Sequence, residues 1–173
     1  RERVDALVAT ATTDHERLQA LLLRVRQRLT AHEIAAAQEP ASMAVELAEA
    51  LVAGGGLAPD DGLRLRASML LGAARAQGGA HGDALQELQR LAPVIDRSPD
   101  LRLRMDCAST LGYSLGIVGR TSESVRAYEQ GLQAATALDD HAEAHVMAHN
   151  LAGLYTRQGR YRTALELVTR ARA

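Results

Sequence analysis

Apolar residues recur at spacings of three and four along most of the chain, with polar residues between them. One series contains Leu103, Leu111 and Leu115, and another runs from Val125 through Leu132. Such spacing is typical of amphipathic helices, whose apolar stripe faces a core. A turn-forming residue separates each series from the next. The pattern therefore predicts an all-α fold of antiparallel helix pairs.

An internal repeat is visible in three glycines. Gly79, Gly119 and Gly159 lie 40 residues apart. A glycine suits the left-handed conformation that closes a helix, so each of them predicts a turn after which the chain folds back. Four other columns keep the same step: Leu71, Leu111 and Leu151; Gly72, Gly112 and Ala152; Ala84, Ser124 and Ala164; and Leu88, Tyr128 and Val168.

Stronger helix breakers separate one repeat from the next. They comprise Gly54 to Gly56 with Pro59 to Gly62, Pro93 with Ser98 to Asp100, and Asp139 with Asp140. We interpret them as turns within a single domain, 1–173, with approximate units 24–53, 63–97, 103–137 and 143–173. The alternation from Leu101 to Met105 also fits a strand, but its continuation at helical spacing favours a helix.

The last unit, NLAGLYTRQGRYRTALELVTRA, resembles a tetratricopeptide repeat. The matching residues are Leu151, Ala152, Tyr155, Gly159, Tyr161, Ala164 and Ala171. The match weakens towards the N-terminus, where Glu39 takes the position of the turn glycine. The usual period is 34 residues, and longer periods occur in kinesin light chain, LuxR-type and antibiotic-regulatory transcription factors and diguanylate cyclases. The resemblance implies a right-handed superhelix of antiparallel helix pairs, a TPR-like α-solenoid.

The resemblance also implies a function and a binding surface. The first helix of each pair would line a concave groove that holds a protein or peptide. Asn150 offers both a donor and an acceptor to a peptide backbone, although a bond to a neighbouring helix is an equal alternative. The predicted groove residues are Arg66, Met69, Ala73, Gln77, Asp106, Ser109, Tyr113, Ile117, His149, Asn150, Gly153 and Arg157.

The hypothesis is a protein-binding or peptide-binding module, forming the sensor or regulatory part of a larger bacterial regulatory protein. The chain begins at Arg1 and not at Met, and we therefore interpret it as a fragment of a longer protein. The alternative is an assembly domain that makes the parent a homodimer through exposed apolar residues such as Leu165 and Val168.

The charge balance and the cysteine content limit the classes of partner and the location that we expect. The chain has 20 Lys and Arg against 21 Asp and Glu, so its net charge is -1. That balance creates no field that would attract nucleic acid or an anionic membrane, and we expect neither as a direct partner. Cys107 is the single cysteine and has no disulfide partner within the chain, which favours a cytoplasmic location.

Two residue patterns resemble a catalytic motif and a metal-binding motif. Gly112 to Gly116 matches the G-x-S-x-G motif of hydrolases, with Ser114 as a remote candidate nucleophile, but it lies inside a helical repeat. His141, His145 and His149 share one helix face and are a weak metal candidate, since two turns span about 12 Å, too far for one ion. We therefore expect no enzyme activity, no metal and no other cofactor.

Overall fold

The computed structural model describes the backbone of residues 2–171, with the side chains of that range apart from residues 2, 3, 5, 170 and 171. The described part consists of helices and connections, without strands, so the all-α prediction is confirmed, including the helix at Leu101. The predicted outer bounds, 1 and 173, and the side chain of Ala171 lie outside the described residues. The helices are α1 (Glu2–Thr10), α2 (Asp14–Thr30), α3 (Ile34–Ala53), α4 (Gly62–Gln77), α5 (His81–Ile95), α6 (Leu101–Ile117), α7 (Thr121–Ala137), α8 (His141–Arg157) and α9 (Tyr161–Ala171).

The chain divides into two compact units, and the boundary along the sequence falls inside α5, between Leu91 and Ala92. In unit 1, α1 contacts α2, α2 packs against α3 and α4, and α3 packs against α4. In unit 2, α7 packs against α6 and α8, and α8 packs against α9. Short connections between packed neighbours make each successive pair antiparallel. The predicted helix pairs are confirmed within each unit, while the superhelical course of the whole chain stays a prediction.

Polar side chains determine where the first helix of each pair begins. Thr13 and Glu16 form a reciprocal capping box at the start of α2. Asp61, Asp100 and Asp140 accept hydrogen bonds from backbone N–H groups at the starts of α4, α6 and α8, at 2.8, 3.0 and 3.1 Å. Such caps satisfy donors that the first turn of a helix leaves unpaired.

The turns inside the pairs follow the predicted glycines, except in the first pair. Gly79, Gly119 and Gly159 have φ values of 90°, 80° and 74°. Between α2 and α3 this left-handed position is held by His32, with φ 56°. Glu39 lies inside α3, so its assignment to the turn position is wrong. The first pair does not keep the 40-residue register of the others.

Two further boundaries differ from the sequence prediction. Pro93 lies inside α5, which continues to Ile95 before the chain turns. A proline near the end of a helix removes only one late hydrogen bond, so it marks the approaching end without breaking the helix at that point. Helix α2 begins at Asp14, ten residues before the first predicted unit. The bounds of the four units stay predictions.

Small residues in one column pack against large residues in another. A Cβ atom on Gly72 would lie 3.0 Å from the Leu88 side chain, and one on Gly112 would lie 2.8 Å from the Tyr128 ring. Ser124 also donates its hydroxyl to the carbonyl oxygen of Gly112, at 2.6 Å. The repeat columns therefore correspond to close contacts between helices. The contact of Gly72 with Leu88 lies within unit 1, and that of Gly112 with Tyr128 lies within unit 2.

Candidate functional site

In unit 1, the predicted groove positions on α4 are mostly covered. Met69 is 1 % exposed and Ala73 is also buried, whereas Arg66 is half-buried and Gln77 is exposed. This corrects the expectation for Met69 and Ala73: they are apolar and belong to the packed interior, where a partner cannot reach them. The 40-residue register alone does not distinguish such positions from exposed ones.

In unit 2, helix α6 exposes apolar surface at its C-terminal end. Tyr113 is 44 % exposed and Ile117 is 56 % exposed, although both are large apolar side chains. Asp106 and Ser109, on the same side and nearer the start of the helix, are half-buried. Residues at these spacings share one helix face, so α6 presents a polar half followed by an apolar half.

Helix α8 presents an exposed polar row. His149, Gly153 and Arg157 follow at steps of four residues and are all exposed. Asn150 is half-buried, and its side-chain amide makes no hydrogen bond within the described part of the chain. A Cβ atom added to Gly153 would meet nothing within 4 Å. Open space beside an unpaired amide leaves room for another backbone to approach.

The buried ring of Tyr128, in α7, packs against α6. A Cβ atom on Gly112 would lie 2.8 Å from this ring. The pKa of the Tyr128 hydroxyl is raised to about 12; burial is the main cause, Tyr113 also raises this pKa, and the charge of Arg157 lowers it. Tyr113 of α6 and Arg157 of α8 therefore both influence the electrostatics of Tyr128.

Other polar contacts hold these helices in place. The Tyr155 hydroxyl donates to Oε1 of Glu129 at 2.7 Å, and the guanidinium of Arg160 lies 4.4 Å from the centre of the Tyr155 ring. Burial raises the pKa of Tyr155, and the bond to Glu129 contributes. The 40-residue repeat does not predict this bond, because Glu129 lies only 26 residues before Tyr155.

A further ion pair joins the N-terminal ends of α6 and α8. Arg102 lies 2.7 Å from Asp140, the residue that caps α8. The pKa of Asp140 is lowered, first by the backbone N–H of Glu143 and then by Arg102. This ion pair therefore connects the N-terminal ends of the two helices that carry Tyr113 and Arg157.

The structure offers no support for catalysis or metal binding by the residues whose patterns suggested it. Ser114 is completely buried inside α6, near its C-terminal end, without the strand and sharp turn that the hydrolase motif requires. His141, His145 and His149 are exposed, and the part of the chain that the structure covers contains no group of three or more His, Cys, Asp or Glu that could hold a metal ion. Burial raises the pKa of the Cys107 thiol to about 12.

None of the helices between residues 2 and 171 is both long and apolar enough to cross a bilayer.

Several solved structures have the same fold, and three of them match nearly the whole of this chain. The Rap protein complexed with competence and sporulation factor matches 95 % of this chain with a TM-score of 0.79 and 13 % identity. A putative kinesin light chain with nearly identical TPR-like repeats, from Podosopora anserina, matches 99 % of this chain and 81 % of its own length, with a TM-score of 0.60 and 22 % identity. Bacillus thuringiensis PlcR, in complex with the peptide PapR7 and DNA, matches 98 % of this chain and 67 % of its own length, with a TM-score of 0.58 and 10 % identity.

These similarities define the fold. The chain has the fold of the TPR-like α-solenoids, as its repeat columns predicted. It spans 44 % of the Rap chain, so it corresponds to less than half of that protein. No protein-family model matches the sequence, and no curated protein does.

Proposed function

We propose that the chain is a binding module for a peptide or an extended protein segment, and that the exposed first-helix residues of unit 2 make the contact. We define the unit-2 face as the exposed residues Tyr113, Ile117, His149, Gly153 and Arg157 together with the half-buried Asn150. The observation that carries the proposal is the exposure of two large apolar side chains, Tyr113 and Ile117, on the first helix α6.

Five of the six members of the unit-2 face have distinct chemical roles in such binding. Tyr113 and Ile117 supply apolar area that a partner side chain would cover, and tyrosine and arginine are enriched where binding energy concentrates. Arg157 would pair with a carboxylate of the partner. The Asn150 amide would donate to and accept from the peptide backbone, and Gly153 lets that backbone approach.

The fold comparison supports the same class of function. PlcR was solved with the peptide PapR7, and Rap with competence and sporulation factor. We extend the proposal to a regulatory part of a larger bacterial protein in the cytoplasm, with neither nucleic acid nor membrane as a direct partner. Because Ser114 is buried, a binding role is favoured over catalysis.

The test is a selection of random linear 12-residue peptides on the immobilised chain, followed by fluorescence anisotropy. The proposal expects Tyr113→Ser and Arg157→Glu each to weaken the selected peptides by about tenfold or more, which corresponds to about 1.4 kcal/mol. Matched controls on the exposed side of α7, Gln130→Ser and Arg126→Glu, should bind as the unchanged chain does. Equal losses in both sets, or peptides insensitive to all four changes, would contradict the proposal.

An assembly role is the second candidate, and the surface of α9 favours it. Leu165 is 70 % exposed and Tyr161 is exposed one turn earlier, whereas Val168 is half-buried. Two large apolar side chains in one stripe would be covered in a homodimer. Sedimentation equilibrium should then show a dimer that Leu165→Ser converts to a monomer. A monomer at the highest soluble concentration would eliminate this candidate.

A further inference from the structure

A polar cleft of about 370 Å³ lies in unit 1, between the C-terminal end of α4 and helix α5. Small-molecule sites have volumes of about 300 to 1,000 Å³, so this cleft is large enough for a small ligand. Its lining consists of Arg75 from α4 and of Asp83, Gln86, Glu87 and Arg90 from α5.

The α5 part of the lining is one stripe of that helix. Its members follow at steps of three, four and seven residues from Asp83, and these spacings return to the same side of an α-helix. The cleft therefore lies along the second helix of a pair, whereas the resemblance to tetratricopeptide repeats implied partner contacts on the first helices.

Two of the charged lining residues stand in repeat columns that are apolar in unit 2. Arg75 shares its column with Leu115 and Tyr155, which are 4 % and 6 % exposed. Glu87 shares its column with Ala127, which is also buried. The fold accepts an apolar residue at both positions, so helix packing does not require either charge.

The charges in the cleft are only partly paired with one another. Glu87 and Arg90 form an ion pair at 2.9 Å. The side chains of Arg75, Asp83 and Gln86 form no hydrogen bond or ion pair within the described part of the chain. Arg75 is half-buried, and a charge that loses water without gaining a partner costs free energy. An unpaired guanidinium group and an unpaired carboxylate therefore line the same small space.

This charge distribution limits the ligand. An anion alone would be repelled by Asp83, and a cation alone would be repelled by Arg75. A ligand that carries both charges satisfies both residues, because its carboxylate pairs with the guanidinium group and its ammonium group pairs with the carboxylate. The amide of Gln86 adds a donor and an acceptor, and none of the five lining side chains is apolar. We propose that this cleft binds a free amino acid with an uncharged polar side chain.

This second site goes beyond the proposed function. All of its residues belong to unit 1, and none belongs to the unit-2 face. Peptide binding and amino-acid binding can therefore be tested separately, and either can fail without the other.

The test titrates the isotope-labelled chain with serine, threonine, asparagine and glutamine, and follows the backbone amide signals by NMR. At least one of the four should bind saturably at concentrations up to about 10 mM. The tightest binder is then compared with its amide, which lacks the carboxylate, and with its N-acetyl derivative, which lacks the ammonium group. Each derivative should bind about tenfold or more weakly, because one of the two ion pairs is lost.

Substitutions then assign each charge of the ligand to one residue. Arg75→Leu introduces the residue that Leu115 provides in the same column, so it should leave the urea midpoint unchanged or raised and still weaken the amino acid about tenfold or more. In that variant the amino acid and its amide should bind equally, since the partner of the carboxylate is gone. Asp83→Asn should likewise make the amino acid and its N-acetyl derivative bind equally.

Matched controls lie outside the cleft in unit 1. Arg17→Leu and Asp60→Asn make the same changes at exposed positions and should leave the affinity within about twofold. Asp83 is exposed, so Asp83→Asn keeps the test valid if Arg75→Leu lowers the stability. Circular dichroism would verify that each variant is folded.

Three outcomes would overturn the proposal. One is the absence of saturable binding by all four amino acids. Another is equal binding of the amino acid, its amide and its N-acetyl derivative to the unchanged chain. The third is a loss of affinity in the two control variants as large as that in Arg75→Leu and Asp83→Asn.

Discussion

The same repeat columns have opposite environments in the two units. Met69 in α4 and His149 in α8 occupy one column, yet Met69 is buried and His149 is exposed. In a second column, Ala73 is buried while a Cβ atom on Gly153 would meet nothing within 4 Å. The repeat therefore preserves the positions that pack helices together, and it leaves the remaining positions free to become core in one unit and surface in the other.

The largest contrast is expected when the first of these columns is truncated. Met69→Ala removes a buried side chain and leaves a cavity, which should lower the free energy of unfolding by about 2 to 5 kcal/mol. His149→Ala removes an exposed side chain and should change it by less than about 0.5 kcal/mol. Urea unfolding followed by circular dichroism measures both. Similar losses for the two variants would break the comparison between the units.

A second contrast lies within unit 2 and uses two glycines of first helices. Gly112→Ala places a methyl group 2.8 Å from the Tyr128 ring, and this overpacking should cost about 1 to 3 kcal/mol. Gly153→Ala fills open space in a helix and should stabilise the chain by about 0.5 to 1 kcal/mol. Thermal unfolding of the two variants checks the signs. A loss of stability in Gly153→Ala would mean that this position is not open.

The smallest expected effect concerns acid stability. A lowered pKa means that the Asp140 carboxylate stabilises the folded state above its unfolded pKa, near 4, and that this stabilisation is lost as pH falls through the lower folded pKa. Asp140→Asn keeps a capping side chain but removes the charge, so its midpoint of urea unfolding should fall below that of the unchanged chain at pH 6 and approach it at pH 3.

The partner of Asp140 provides the control for that measurement. Arg102→Met removes the ion pair and leaves the cap, so its pH dependence should lie between those of the other two chains. An Asp140→Asn curve parallel to that of the unchanged chain from pH 6 to pH 3 would contradict the assigned role.

The regular part of the fold could be predicted from the sequence because packing imposes a visible register. Gly72 and Gly112 have no room for a side chain, and Gly79 and Gly119 have a left-handed backbone. Such constraints recur in every repeat that makes the same contact. The turn of the first helix pair was not predicted, because His32, a residue with a Cβ atom, takes the left-handed position that glycine takes in the other pairs.

The candidate sites were harder to predict. The exposure of a residue depends on which other helices cover its side chain. The shared repeat position of Met69 and His149 does not predict which of the two is covered. A cleft between α2 and α4 in unit 1 is lined by Leu23 of a helix outside the regular register and by Arg66 of a helix inside it. A repeat alignment cannot pair residues of that kind. The polarity of the outward columns was the available signal, since the buried members are apolar and the exposed members of α8 are polar or small.

Photo-crosslinking of a selected peptide tests the role of the unit-2 face most directly. A benzophenone amino acid would replace Ile117 on the exposed end of α6, or Gln130 on the exposed side of α7. We predict that irradiation crosslinks the peptide to the chain with the benzophenone at position 117, in proportion to the fraction of peptide bound. The chain with the benzophenone at position 130 should show no crosslinking. Attachment at 130 without attachment at 117 would show that the peptide lies on the second helices and would contradict the assigned surface.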